Sequence, residues 1–459
     1  MSIISTGREK RPRGVATAEA APSYPPDTVP PHVRAYEGDT GVEPQPNWLT
    51  RIRTFHALRY PGFRDFFLAM VSQMASQNMQ MVVRAYLAFE LTGSYAALGT
   101  IALANAVPGL ALSMVGGAIA DAVSKRKTVM LIGQISNGLN TLVVGLLLLF
   151  GMLSINHLLI AAIVQGITMA LMMPSRQSMI PSLVPGPMRM NAVALNAAGM
   201  NSMRLFAPAV GGFLLAYAGG ATVYFFMASL YLLACVFVLK VPETPKQIQR
   251  AEGGAWGEFK LGMRNMWEGF VYIKRDPVIG PLLLVNVFVV ITAMPYMFLL
   301  AGFVQDVLNA DAGALGAITS ISGIGSLAGA LWVASMAAKR RGAWFLIGSG
   351  FQGIMLFLAF TISNSVFMLS AIMLVMGVGQ AARQGLSNVL VQEYVEEAFR
   401  GRVMSVYMLQ FSLSSFAAFI TGMLAAWLGP RAALGGTSLA LVVLAFGTLI
   451  FVPRLRNLQ

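Results

Sequence analysis

The chain has 459 residues, of which 56% are hydrophobic and 11% charged, with a mean hydropathy of +0.67 and a formal net charge of +13. So little charge cannot cover the surface of a soluble chain of this length, which excludes that class. Apolar runs of about twenty residues recur instead, each long enough to cross roughly 30 Å of hydrocarbon as a helix. They lack the period-two alternation of a lipid-facing barrel. The expected fold is an all-α membrane protein. The single cysteine, Cys235, excludes an intramolecular disulfide and a Cys-based zinc site.

Residues 1–57 read as a tail. Arg8, Lys10, Arg11 and Arg13 are followed by the pairs Pro25-Pro26 and Pro30-Pro31, with few large aliphatics. That composition cannot bury a core and predicts disorder. No apolar stretch follows the basic start, which argues against a secretory signal. Residues 48–64 are expected to form a short interfacial helix. Six apolar segments come next, over about 66–91, 97–120, 129–150, 158–173, 193–218 and 223–239. Six more run over about 279–303, 315–336, 343–362, 366–390, 403–427 and 434–452. The expected division is a first six-helix half over 58–240, a linker over 241–277, a second half over 278–453 and a tail over 454–459. In the linker, Trp256, Leu261, Met263, Met266, Trp267, Phe270, Val271 and Ile273 interleave with Lys260, Arg264 and Lys274. This pattern predicts an amphipathic helix on the membrane surface.

The basic residues fix the expected topology. Of the 32 Lys and Arg residues, Arg431 alone falls on the side opposite the termini, and Arg84, Arg204 and Arg383 fall inside spans. All others lie in the tails, in the linker or at the loops after spans 2, 4, 8 and 10. Both termini and the linker are therefore expected on the cytoplasmic side, and the positive charge is a topology signal and not a nucleic-acid footprint. The halves also echo one another. Ser175-Arg176-Gln177 closes span 4 as Ala382-Arg383-Gln384 nears the end of span 10, and Lys125-Arg126-Lys127 follows span 2 as Lys339-Arg340-Arg341 follows span 8. Two parallel six-span halves are what duplicated transporters show.

Polar residues inside the spans are the candidate site. Gln73, Gln77, Gln80 and Arg84 are spaced 4, 3 and 4 along span 1, which sets them on one helical face. Such a stripe is costly unless it meets protein or water. It reads as a wall of a central aqueous cavity, or as interhelical hydrogen bonding. Arg204, deep in span 5, reads as a counter-charge for an anionic substrate group or as a packing residue. Arg383 reads as structural. Acids are scarce: Glu90 and Asp121 sit at span ends, and none falls mid-membrane. Glu90 is the candidate for coupling to a proton, against a plain interfacial role. Three histidines lie outside the spans, and no Gly-x-x-x-x-Gly-Lys-Ser/Thr loop exists. Enzyme chemistry, ATP hydrolysis, a cofactor and a metal site are not expected.

The segment from Gly116 and Gly117 through Asp121 to Lys125, Arg126 and Lys127 resembles the Gly-x-x-x-Asp-(Arg)-x-Gly-Arg-Lys loop of the major facilitator superfamily, with Ala122 and Ser124 departing from it. Ala88-Phe89-Glu90-Leu91-Thr92-Gly93-Ser94, Pro174-Ser175-Arg176-Gln177, Pro181-Ser182-Leu183-Val184-Pro185 and Arg400-Gly401-Arg402-Val403-Met404-Ser405 are similar to segments of its enterobactin-exporter and macrolide-efflux-like branch. Ala207-Pro208-Ala209-Val210-Gly211-Gly212 resembles the Gly-Pro-x-x-Gly-Gly element of exporters there; a packing kink gives the same pattern. The arginine that drug/proton antiporters often carry three residues before a Gln-Gly is here Ala162, before Gln165-Gly166. The resemblance implies twelve transmembrane helices in two six-helix halves and a secondary transporter working by alternating access. It implies an exporter of a drug- or siderophore-like molecule in the cytoplasmic (inner) membrane. An importer of the same fold and a non-transporting signalling or scaffold protein are the alternatives. The expected partners are the lipid bilayer, a small-molecule substrate and a coupling proton, with one copy as the unit. Asp121 is implied to stabilise the state closed on the cytoplasmic side.

Overall fold

A computed structural model describes residues 53–122, 126–243, 254–336, 339–397 and 399–458. The expected disorder of the tail falls almost wholly outside these residues. Where an interfacial helix was expected over 48–64, Arg53–Arg59 makes a short 3-10 helix, and the first span helix then starts at Pro61. Proline is suited to that place, because a first-turn N–H has no intrahelical partner.

All regular structure among the described residues is helical. The first group is α1 (Pro61–Thr92), α2 (Tyr95–Ala122), α3 (Arg126–Leu149), α4 (Ile155–Met179) and α5 (Arg189–Lys240). Next comes α6 (Gly254–Arg275). The last group is α7 (Ile279–Ala293), α8 (Tyr296–Asp306), α9 (Ala312–Ser335), α10 (Arg341–Ile362), α11 (Val366–Tyr394), α12 (Arg400–Leu428) and α13 (Pro430–Phe451), ending in the single turn α14 (Pro453–Arg456). Ten stretches among the described residues are long and apolar enough to cross a membrane. Two features separate ten from the expected twelve. α1 is absent from the ten, its apolar character diluted by Gln73, Gln77, Gln80 and Arg84. The stretch Gly186–Lys240 counts once, because expected spans 5 and 6 run on as α5. Their helical path breaks only at Gly219, at φ 80° and ψ 166°, which glycine adopts without a Cβ clash. Expected span 7 is divided into α7 and α8 at Met294-Pro295, where proline supplies no N–H for the helical ladder.

Large apolar side chains such as Leu139, Phe213, Leu232, Leu331 and Val443 are exposed along these helices. In water they would be a penalty; against lipid tails they are neutral. The two helical groups meet along α5 against α9 and α2 against α12. At the first seam the backbones nearly touch: a Cβ on Gly212 would lie 2.3 Å from the Ala312 carbonyl oxygen, and one on Gly316 2.7 Å from that of Pro208. The Pro208-Ala209-Val210-Gly211-Gly212 element is thus the surface on which α9 rests.

The apolar cores are arranged unevenly. One core draws on both groups, joining Val83, Leu87, Phe89 and Leu98 to Leu299, Phe303, Leu315 and Phe360. Tyr95 Oη donates to Asp306 Oδ2 at 3.1 Å and Gln305 Nε2 to the Tyr86 carbonyl at 2.9 Å across that end. At the opposite end each group keeps its own core, around Phe63, Phe66 and Met179 in one and around Phe345, Leu390 and Leu455 in the other. Gly212→Ala should therefore wedge the seam, cost about 1–3 kcal/mol and lower the thermal midpoint of the detergent-purified protein. Gly436→Ala, where nothing lies within 4 Å of an added Cβ, should leave the midpoint unchanged.

Candidate functional site

The polar stripe of α1 turns toward α3 and α4. Arg84 Nη1 donates to Gln165 Oε1 at 2.7 Å, and Gln165 Nε2 donates to Gln80 Oε1 at 2.7 Å. One glutamine of α4 thus bridges two positions of the stripe, a turn apart on α1. Asn105 of α2 donates to the Ala162 carbonyl at 3.1 Å beside it. One stretch further along, Gln134 Nε2 of α3 donates to Gln73 Oε1 at 2.8 Å. Gln73 and Gln77 point their own amides at sulfur: Gln77 Nε2 lies 3.0 Å from Met169 Sδ, and Gln73 Nε2 lies 3.9 Å from Met169 Sδ and Met172 Sδ. Gln73, Gln80 and Arg84 are buried and Gln77 is half-buried.

The other arginines are placed differently. Arg204 on α5 is exposed, lies near enough to Arg176 for the like charges to interact, and has no hydrogen bond or ion pair among the described residues. Arg176, buried at the end of α4, donates to Met173 Sδ at 3.2 Å and Met74 Sδ at 4.0 Å. Arg383 of α11 is buried, and its Nε donates to Gln352 Oε1 of α10 at 2.9 Å. None of these four arginines is paired with a carboxylate among the described residues.

Glu90 is exposed at the end of α1. With Tyr86, Leu148, Leu215 and Asp311 it lines a cavity of about 550 Å³. The helix α2 runs through Gly117 and Asp121; the Asp121 side chain lies outside what is described, as does Lys125 altogether, and Arg126 opens α3. No group of three or more His, Cys, Asp or Glu is set to hold a metal among the described residues.

A second polar network was not signalled by the sequence pattern. Asn286 Nδ2 of α7 donates to Gln410 Oε1 of α12 at 2.6 Å, Ser387 Oγ of α11 donates to Asn286 Oδ1 at 2.7 Å, and the Tyr407 hydroxyl lies 3.3 Å from Ser387 Oγ. Asn286 is a lone polar residue in an apolar run, and its partners lie on two other helices, so no spacing within one helix marks the network.

Apolar helices with large apolar side chains turned outward, joined in two groups around buried polar networks, define an integral membrane protein. The sequence pattern of the family described as transmembrane secretion effector, within the major facilitator transporters, matches residues 52–458. The chain belongs to that family. It is 27% identical over 396 residues to the uncharacterised MFS-type transporter YfiS of Bacillus subtilis (strain 168), covering 79% of this chain and 86% of that protein. It is 25% identical over 318 residues to the staphyloferrin A transporter of Staphylococcus aureus (strain NCTC 8325 / PS 47), covering 68% and 76%. Among solved structures, the peptide transporter POT superposes with a TM-score of 0.70 at 13% identity, covering 87% of this chain and 95% of that one. A bacterial homologue of the human lysosomal transporter Spinster, inward-facing and unoccupied, superposes at 0.64 and 17% identity, covering 86% and 97%. At those identities the structures speak for the fold alone.

Gln165→Leu strands the buried Arg84 guanidinium and should cost about 2 kcal/mol. Adding Arg84→Met should recover part of that loss. A double-mutant cycle on thermal stability measures the coupling, and simple additivity would dissolve the pair.

Proposed function

We propose that the chain is a secondary transporter that exports a small organic molecule bearing anionic groups. Its two halves rock about a central cavity, with α1 and the two arms of α5 divided at Gly219 completing twelve spans. The observation that carries the reading is the set of arginines Arg84, Arg176, Arg204 and Arg383 within apolar helices, none held by a carboxylate among the described residues. A cation in hydrocarbon needs water, a partner or a ligand. The exposed Arg204 beside Arg176 is the pair to which an anionic group would come, with Gln73, Gln77, Gln80 and Arg84 behind it.

Export is supported by the family's description as a secretion effector and by the exporter-like element at Pro208. A relative named as a staphyloferrin A transporter supports a siderophore-like substrate. Rocking is supported by one core common to both halves at one end and separate cores at the other. Glu90, in its solvent-reached cavity, is the group proposed to couple a proton. Both termini and the linker are cytoplasmic in this reading, in the inner membrane, with a single copy as the working unit and Asp121 stabilising closure on the cytoplasmic side.

In everted vesicles, carboxylate-bearing candidate compounds should accumulate when a pH gradient is imposed and not without it. Arg204→Gln should lower that accumulation about tenfold, the loss expected for one charge-assisted hydrogen bond, and Arg204→Lys should restore part of it. Uptake by intact cells, with no accumulation in everted vesicles, would reverse the direction. Reporter fusions after Gly93, Asn309 and Arg431 should read outside, and an inner reading at any of the three overturns the topology. Asp121→Asn should slow transport while expression and insertion persist; an unchanged rate removes the gate role.

A further inference from the structure

The helix α6 packs against both α12 and α2, and the side-chain contacts that fix its roll are those with α12. Glu268 bridges Arg264 at 3.0 Å and Arg402 at 3.2 Å, the Tyr272 ring stacks on Phe399 with centroids 4.5 Å apart, and a Cβ on Gly269 would lie 2.9 Å from the Arg402 carbonyl oxygen. These contacts set the roll of the helix. At 100° per residue, the arc they leave outward carries Lys260, Met263, Arg264, Trp267, Phe270, Lys274 and Arg275. All seven are exposed, Trp267 at 70%.

Three large apolar side chains interleaved with four cations are a costly surface in water. No described carboxylate shares the arc: Glu268 is turned to Arg402, and Asp276 is engaged with the amides of Val278 and Ile279 at 2.8 Å. The helix is also tethered, since three residues separate its end from α7, one of the membrane-crossing stretches. A surface so placed lies at the level of the lipid headgroups. Trp and Phe suit the headgroup–acyl boundary, and Lys and Arg suit phosphate and acidic headgroups above it.

We propose that this arc is a docking surface for anionic phospholipid headgroups of the leaflet that α6 faces, and that Arg264 relays their binding to α12. The proposal rests on the transporter topology given above. A headgroup that takes up Arg264 leaves Glu268 to Arg402 alone, which tightens the grip of α6 on the start of α12. The charge of the leaflet thereby bears on a helix that also forms the seam with α2.

The test uses the full chain with Cys235→Ser and a nitroxide at Met263→Cys, in phosphatidylcholine vesicles with rising phosphatidylglycerol. The label should lose access to a water-soluble relaxation agent and gain access to oxygen as the anionic fraction rises. Lys260→Gln or Lys274→Gln should move the midpoint to a higher fraction, by about fivefold for one charge. Hydrogen exchange at residues 399–404 should slow with phosphatidylglycerol in the parent and not in Glu268→Gln. Immersion that is equal in both lipids makes the arc a plain apolar anchor and overturns headgroup recognition. Persistent aqueous access at every composition overturns docking itself. An exchange rate in Glu268→Gln that still responds to the lipid overturns the relay. None of these readouts needs a substrate, so their failure leaves the transport reading standing, and a failure of transport leaves them standing.

Discussion

A guanidinium inside an apolar helix must be met by protein, water or ligand, because hydrocarbon offers no partner. Around Arg84 that demand shapes three helices at once. Gln165 is placed where its carbonyl oxygen accepts a hydrogen bond from Arg84 and its amide donates one to Gln80, which fixes both the rotation and the height of α4 against α1. Gln73 and Gln134 repeat the device between α1 and α3. The glutamine is suited to it, since one planar group both donates and accepts. Arg383 with Gln352 shows the same solution in the other half. Arg204 stands apart in being exposed.

The seams between halves obey a different economy. In lipid there is little hydrophobic drive between helices, so close approach and packing must hold them. The Gly212–Gly316 crossing brings backbone onto backbone, and the apolar core at that end is continuous across the halves. At the other end the cores are separate, so relative motion of the halves disturbs fewer packed side chains there. The Arg84–Gln165 and Asn286–Gln410 networks each lie within one half, while Tyr95–Asp306 and Gln305–Tyr86 cross between the halves at the shared end.

Much of this was legible in the sequence. Apolar length gave the helices, and the 4, 3, 4 spacing of Gln73, Gln77, Gln80 and Arg84 gave a common face. The face's partners were not legible, because Gln165 is 81 residues from Arg84 and no local period joins them. Asn286, Ser387 and Gln410 were missed for the same reason. The number of separate helices was obscured by backbone detail: a positive φ at Gly219 ends one helix and begins the next with no loop between them, and Pro295 divides a run that composition reads as unbroken. The stripe that identified span 1 also left it outside the apolar set.

The methionine sulfurs around Gln73, Gln77 and Arg176 have a mechanical meaning. A thioether is a weak, polarisable acceptor on a flexible stem. Amides and a guanidinium resting on sulfur are kept from being stranded, yet they surrender little when they turn away to something better. In the transport reading proposed above, the sulfurs of Met74, Met169, Met172 and Met173 make a yielding surface for the substrate, less a lock with cut wards than an upholstered seat.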